Sequence, residues 1–526
     1  MTALSALPTQ SHPWTSLLTR DDLVLDHGML HLRHEDLSPD AAHTADLLLI
    51  ADTLAAAGVE VLLIRHAPRR EALVVDLADR DRAWAALVGL CETEPLYTKP
   101  KGIASLPVPD ATPGRGPSSV RLFRPRITST QGLRYGAASG VRLEFWRFGA
   151  ETIDAPGANA LTRRVTPAAE IEIGQATRHG RSWRTIAGMF DPHPGEVAFD
   201  IDLVFSWVDG SSSEFQRQRA ARMAEYVVGD GDDSPARYRH VDELRYALRS
   251  VHMYAPWVRR IFIATDSPAP AWLAEHPNVT VVRSAEFFAD PSVLPTHNSH
   301  AVEAQLHRIP GLAEHFLYAN DDMFFARPVE PELFFSPAGV SMFVECDVRI
   351  GTGPALPHRS GHDNALRRNR ALLRERFGRT IVRDLEHCAT PLRRSVMAEL
   401  EREFPEEIAR TAASRFRSAT DVSVTNSLYH YYALFTGRAV ATKEPRTRYF
   451  QTTLAESLRR AERLADRRDV DMFCLNDGGN GEVPEAVRVR IVTELLERMF
   501  PVRAPWEKDA VSAESERAVS APSVRP

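Results

Sequence analysis

Asp209, Asp266 and the pair Asp321–Asp322 each follow a short apolar run: Phe199–Trp207 (FDIDLVFSW), Arg260–Ala264 (RIFIA) and His315–Ala319 (HFLYA). Carboxylates are hard oxygen donors, and gathering several is costly unless a cation or a substrate uses them. A second segment, Leu294–Gln305 (LPTHNSHAVEAQ), sets Thr296, Asn298, Ser299 and His300 around an expected helix start. Free N–H groups there favour an anion. Ser299 is expected to cap this helix, which would run through Arg308. An Asn-Asp-Asp alone is ordinary turn sequence. Its weight comes from the other two acidic run ends.

Runs of this length, rich in Val, Ile, Phe and Tyr, read as strands. Segments of helical spacing lie between them, so the pattern is βαβ-like and the sheet is expected to be Rossmann-like and largely parallel. The carboxyl ends of such strands share one edge, and ligands bind in the crevice outside it. Three acidic strand ends are therefore expected to converge on one metal-assisted site.

The supporting elements follow from periodicity. Val241, Leu244, Leu248 and Val251 give one helical face before Pro256, and Thr280–Val282 gives a short strand. Residues 364–417 are expected to be mainly helical and begin strongly basic, with Arg367, Arg368, Arg370, Arg374, Arg376, Arg379 and Arg383. That cluster reads either as a solvated helix face or as a landing strip for an anionic phosphate or polysaccharide. A last helix, Pro484–Phe500, carries Val487, Ile491, Leu495 and Met499 at spacings of four. Ser211–Asp233 is polar and expected to be loop-rich, and the tail beyond Lys508 to be disordered. Before the Pro-rich turn Asp191–Gly195, helices at 41–57 and 79–90 and strands at 59–64, 72–76 and 141–148 make a separate α/β module without a chemical constellation. The expected division is 1–195, a catalytic core 196–350, a helical region 351–450, a completing segment 451–508 and the tail 509–526.

Composition bounds the function. A net charge of −6 over 526 residues argues against bulk nucleic-acid binding. Cys91, Cys346, Cys388 and Cys474 are scattered, without zinc spacing or a disulfide framework, which fits a reducing compartment. The N-terminus lacks a signal-peptide pattern, and no stretch approaches the ~18 apolar residues of a membrane span. A cytoplasmic protein, touching membrane at most peripherally, is expected.

The motifs resemble the Stealth family. FDIDLVFSWVDGSSSEF is similar to its first region, with the family's Trp-Val-Asp-Gly. Tyr238–Phe335, holding IFIATD, LPTHNSHAVEAQLHRIPGL and FLYANDDMFF, is similar to the second. His387-Cys-Ala-Thr-Pro with Ser414-Arg-Phe-Arg417 resembles the third, and Cys474-Leu-Asn-Asp477 the fourth. The family comprises capsule and exopolysaccharide phosphotransferases and the animal N-acetylglucosamine-1-phosphotransferase. The resemblance implies transfer of a sugar-1-phosphate from a nucleotide sugar, expected to be UDP-linked, to a glycan hydroxyl.

That implication assigns roles. Phosphoryl-type transfer rests on positioning and on neutralising phosphate charge. Asp321 and Asp322, with Asn476 or Asp477, are suitable ligands for Mg²⁺ or Mn²⁺. Arg417 can grip phosphate with its planar fork, and His387 can receive the acceptor's proton or hold its hydroxyl. Asp322 joins these two as catalytic, while Trp207, Asp209, Gly210 and Asp266 are assigned with Thr296, Asn298, Ser299 and His300 to substrate binding. Each role has a plainer competitor: Trp207 as core, Arg417 paired with Asp421, Asn476–Asp477 as a turn, and His300 as a cap. A metal-dependent glycosyltransferase and a non-catalytic nucleotide-sugar or glycan-binding subunit are the alternative functions.

Overall fold

The strand-forming runs of the second half are buried on both sides, as parallel strands covered by helices must be. In the computed structural model, Ile201–Ser206, Ile261–Ala264 and His315–Asn320 are almost wholly buried. The model describes residues 14, 17–66, 70–100, 102, 104–129, 133–210, 212, 217, 241–477 and 481–508. The polar stretch Ser211–Asp233, apart from Ser212 and Arg217, and the tail beyond Lys508 lie outside the described residues.

By contacts the chain divides into two units, 1–193 and 194–526. In the first, helix Pro39–Ala56 starts at the Ser38 cap, and strand Arg70–Asp76 runs parallel to Val141–Phe148. Leu47, Ile50, Leu54, Leu73, Val75 and Phe145 are among its core. Buried Asp46 is neutralised by Arg124 and Arg126, at 2.7 and 2.6 Å.

The second unit is built on a five-stranded sheet, ordered 279–282, 261–264, 201–206, 315–320, 390–393. The first four strands are parallel and the last is antiparallel. Its buried strand carboxylate, Asp202, is satisfied by Arg259 at 2.6 and 2.9 Å and by the Ala313 N–H at 2.7 Å. Helix Glu243–Tyr254 buries Leu244, Leu248 and Val251 of the expected face, while Val241 precedes it and is half-buried. A smaller sheet joins Met323–Phe325 to Met472–Asn476, which pairs in parallel with Thr447–Gln451.

Residues 364–417 are mainly helical as expected, interrupted by the short strands Arg383–Leu385 and Thr390–Arg393. Two local expectations are corrected. The buried side of helix Glu485–Met499 is Arg488, Val492, Leu495, Leu496 and Met499, while Val487 is exposed. Residues four apart drift around a 3.6-residue helix, so a strict four-residue series leaves the buried stripe. The helix at Ser299 ends at Glu303, where the bonding tightens to three-residue steps (Gln305 N–H to Val302, Arg308 N–H to Gln305) before Pro310. Its cap is Asn298, whose side chain accepts the His300 N–H at 3.1 Å.

Candidate active site

The sheet brings most of the motifs to one edge. Ser206 lies opposite Ala264 on one side and Asn320 on the other, and Ala264 opposite Val282, so all four parallel strands end together. The antiparallel strand enters at that same edge, with Thr390 opposite Tyr318. His387, three residues before Thr390, and Asp321, three after Tyr318, therefore leave the same end of one strand pair. The small sheet returns Asn476 to this point: the Leu475 N–H donates to the Asp322 carbonyl at 3.0 Å.

The topology brings the acidic strand ends to one edge, but their side chains do not form one carboxylate cradle. Among the described residues no three His, Cys, Asp or Glu side chains cluster as a metal site. Asp266 is exposed and accepts the Ser284 N–H at 2.9 Å, stitching one strand end to the next. Asp209 is half-buried, and its N–H donates to Ser267 Oγ at 2.9 Å. Gly210 closes the Trp-Val-Asp-Gly turn with its N–H on the Val208 carbonyl at 3.0 Å. Trp207 is buried beside the strand end.

Asp322 is different. Its Oδ1 is out of solvent with no nitrogen or hydroxyl donor on it, its Oδ2 faces Asn476 Nδ2 at 3.4 Å, and the Cys474 thiol is a weak hydrogen-bond partner of the carboxylate. Burial pushes this carboxyl up to about 6. A buried carboxylate served by a thiol and an amide, next to Asp321, suits a divalent cation. Asp477, the other expected ligand, is instead engaged by Thr452 Oγ1 and lies 3.7 Å from Arg488 Nε.

The residues 296–300 and 414–417 form a single assembly. The His297 N–H donates to the Arg415 carbonyl at 2.8 Å, and Thr296 Oγ1 to Ser414 at 3.3 Å. Asn298, 1% exposed, donates from Nδ2 to Asp421 at 2.8 Å and to the Ser414 carbonyl at 3.2 Å. His300 is buried with Nδ1 3.9 Å from Asp421. Asp421 is thus taken by Asn298 and the Ser418 N–H, and Arg417 Nη2 donates to Ser299 Oγ at 2.9 Å. Gly361 leaves the room this needs, since a Cβ there would lie 2.6 Å from that of Arg417. Thr296 and Asn298 thus bond to the segment that carries Arg417, with His300 buried beside them.

His387 sits between His362 and Tyr449, with ring centroids 6.2 and 5.5 Å away. Burial pushes its pKa down to about 4; His362 and Arg417 add to that, while Asp384 and Glu303 oppose it. It is therefore a neutral imidazole near pH 7. Buried Tyr318 Oη lies 2.9 Å from both Ser206 Oγ and Asn320 Oδ1 and 3.3 Å from Glu303, which Thr425 also binds at 2.7 Å. Burial, with Glu303 close by, holds the phenol well above its usual pKa, so it stays protonated.

Several of these residues carried no sequence signal: His362, Asp384 and Tyr449 belong to no spaced motif, and Glu303, although inside Leu294–Gln305, was given no role. Tyr318 and Asn320 had one, because they precede Asp321 directly on the strand. The basic cluster divides. Arg374, Arg376 and Arg379 are exposed, as on a solvated helix face. Arg367 and Arg370 clamp the carbonyls of 350–352, Arg376 pairs with Glu403, Arg379 covers Phe435 and Arg383 pairs with Asp347.

Comparison with known proteins agrees with the motif placement. Four conserved regions of Stealth proteins match in order: region 1 at 199–227, region 2 at 237–343, region 3 at 386–434 and region 4 at 462–517. The exopolysaccharide phosphotransferase CpsY of Mycobacterium tuberculosis is 52% identical over 493 residues, 93% of this chain and 92% of its own. An exopolysaccharide phosphotransferase of Nocardia farcinica is also 52% identical, over 93% of this chain and 90% of its own. One of Streptomyces coelicolor is 38% identical over 92% of this chain and 85% of its own. A crystal structure of the galactosyltransferase LgtC aligns with 56% of the chain and 95% of its own, at 12% identity and a TM-score of 0.28, too low to bear on fold or activity. The chain belongs to the Stealth family and is a phosphotransferase.

Proposed function

We propose that this enzyme transfers a hexose-1-phosphate, such as N-acetylglucosamine-1-phosphate, from a UDP-linked sugar to a glycan hydroxyl in exopolysaccharide or capsule synthesis. The observation that carries the reading is the delivery of Asp321–Asp322 and His387 to one end of one strand pair, within the field of Arg417. Those are the parts the transfer needs: ligands for a cation, a cation of the protein's own, and a group for the acceptor hydroxyl. The names of the relatives supply the exopolysaccharide context. No helix among the described residues is long and apolar enough to cross a membrane.

Asp321, Asp322 and Asn476 would hold Mg²⁺ or Mn²⁺, which supplies neutralisation of the donor's diphosphate charge when bound. Arg417, braced by Ser299, grips the sugar-bearing phosphate with donors that a mobile side chain would have to reorganise. The nucleotide's ribose and base fall to the strand ends around Asp209 and Asp266. His387 stands on the acceptor side and holds the attacking hydroxyl with its uncharged ring. The hydroxyl oxygen bonds to the sugar-bearing phosphorus, the bridging P–O bond breaks, and nucleoside monophosphate leaves.

A donor screen by thermal shift tests the binding half, since a ligand of the folded state raises apparent stability. UDP-sugars with Mg²⁺ are expected to shift the melting temperature, and both components are expected to be needed. His387→Ala is expected to keep that shift while losing about 10²–10⁴ in transfer rate. Loss of the shift in this variant would place His387 on the donor side, and retained turnover would remove it from the reaction.

A further inference from the structure

His362 is the second residue of helix Gly361–Phe377, and its ring centroid lies 6.2 Å from that of His387. Its Nε2 is 2.9 Å from Asp384 Oδ2. Asp384 is 6% exposed, and its other oxygen accepts the Leu385 N–H at 2.8 Å and faces Asn426 Nδ2 at 3.5 Å. Asn426 belongs to a π-helical turn, Val424–Leu428, which also presents Thr425 to Glu303. Such turns are rare and gather at functional sites.

The chemistry of the pair follows from its donors. An ionised carboxylate only accepts, so the His362 proton sits on Nε2 and Nδ1 carries the lone pair. A carboxylate that fixes the tautomer and steadies the resulting imidazolium is the arrangement by which a histidine becomes a general base. Among the described residues no carboxylate is hydrogen-bonded to His387. A 6.2 Å ring separation is too long for a direct hydrogen bond between two imidazoles but admits one oxygen between them. The charged groups facing the two rings are Asp384, Glu303 and Arg417.

Resting on the transfer reading above, we propose that the His362–Asp384 pair is the proton acceptor of the reaction, with His387 holding the hydroxyl that His362 deprotonates. The proton passes from the acceptor hydroxyl to His362 Nδ1 as the new P–O bond forms. It returns to solvent after nucleoside monophosphate has left. The depressed pKa of His387 agrees with this division, since a base of that strength retains a proton poorly.

The test is His362→Gln, whose amide can keep the bond to Asp384 but cannot take a proton. Transfer by the purified full-length enzyme is measured with a UDP-sugar, Mg²⁺ and an acceptor glycan. A fall in kcat of about 10²–10⁴ is expected, with the donor's KM unchanged. His362→Ala is expected to recover part of its rate in added imidazole. Retention of more than a tenth of the parent kcat by His362→Gln would overturn the proposal, as would a loss expressed wholly in KM or a failure of imidazole to restore any rate. A parent enzyme without transfer would instead count against the underlying reading.

Discussion

Asp322→Asn is expected to abolish transfer and, in metal-free protein, to raise thermal stability. Burial leaves this carboxyl ionising at about 6 rather than 3.8. A folded-state pKa raised above the unfolded one means that ionisation costs stability above about pH 6. The cost fades as pH falls and is absent below the unfolded value. One pKa unit corresponds to about 1.4 kcal/mol, so the carboxylate costs at most about 3 kcal/mol near pH 7.5. The isosteric amide removes that charge. A melting temperature a few degrees above the parent's is expected at about pH 7.5, with the gain gone by about pH 4. Stabilisation by Mg²⁺ is expected to be lost with it, and Asp321→Asn is likewise expected to abolish transfer. Near-parent turnover with unchanged Mg²⁺ dependence in both variants would remove this pair from the site.

Arg417→Lys is expected to lose about 10²–10³ in transfer rate, equivalent to roughly 3–4 kcal/mol of transition-state stabilisation. An ammonium keeps the charge but not the paired donors that match a phosphate. The side chain is placed by the Ser299 hydroxyl and by the gap at Gly361, so its fork arrives oriented. The loss is expected in kcat more than in stability, and an unchanged melting temperature would separate the two. A folded variant keeping more than half the parent rate would assign Arg417 to structure.

The strand runs were legible because parallel strands covered on both faces must be continuously apolar, and their ends followed from the acidic residues behind them. Asp321–Asp322 could therefore be placed at the carboxyl edge before any coordinates. Side-chain direction was not legible. Asp266 turns to cap the neighbouring strand end and Asp477 turns to Thr452 and Arg488, choices set by packing partners distant in the chain. Asn298 and His300 were ambiguous for a related reason: a polar run at a helix start suits an anion and suits an internal scaffold equally. Asp421, more than a hundred residues later, takes the Asn298 amide and lies 3.9 Å from His300 Nδ1. The His362–Asp384 pair left no trace, since 22 residues and a helix-to-strand change separate its members.

The leaving group decides between phosphotransfer and glycosyl transfer. The enzyme should be incubated with a UDP-sugar carrying label in the phosphate next to the sugar, Mg²⁺ and an acceptor glycan, and the products separated. UMP is expected in step with a glycan that now carries the labelled phosphate in a diester. Release of UDP, with all label in the nucleotide and an unphosphorylated glycoside as product, would contradict sugar-1-phosphate transfer.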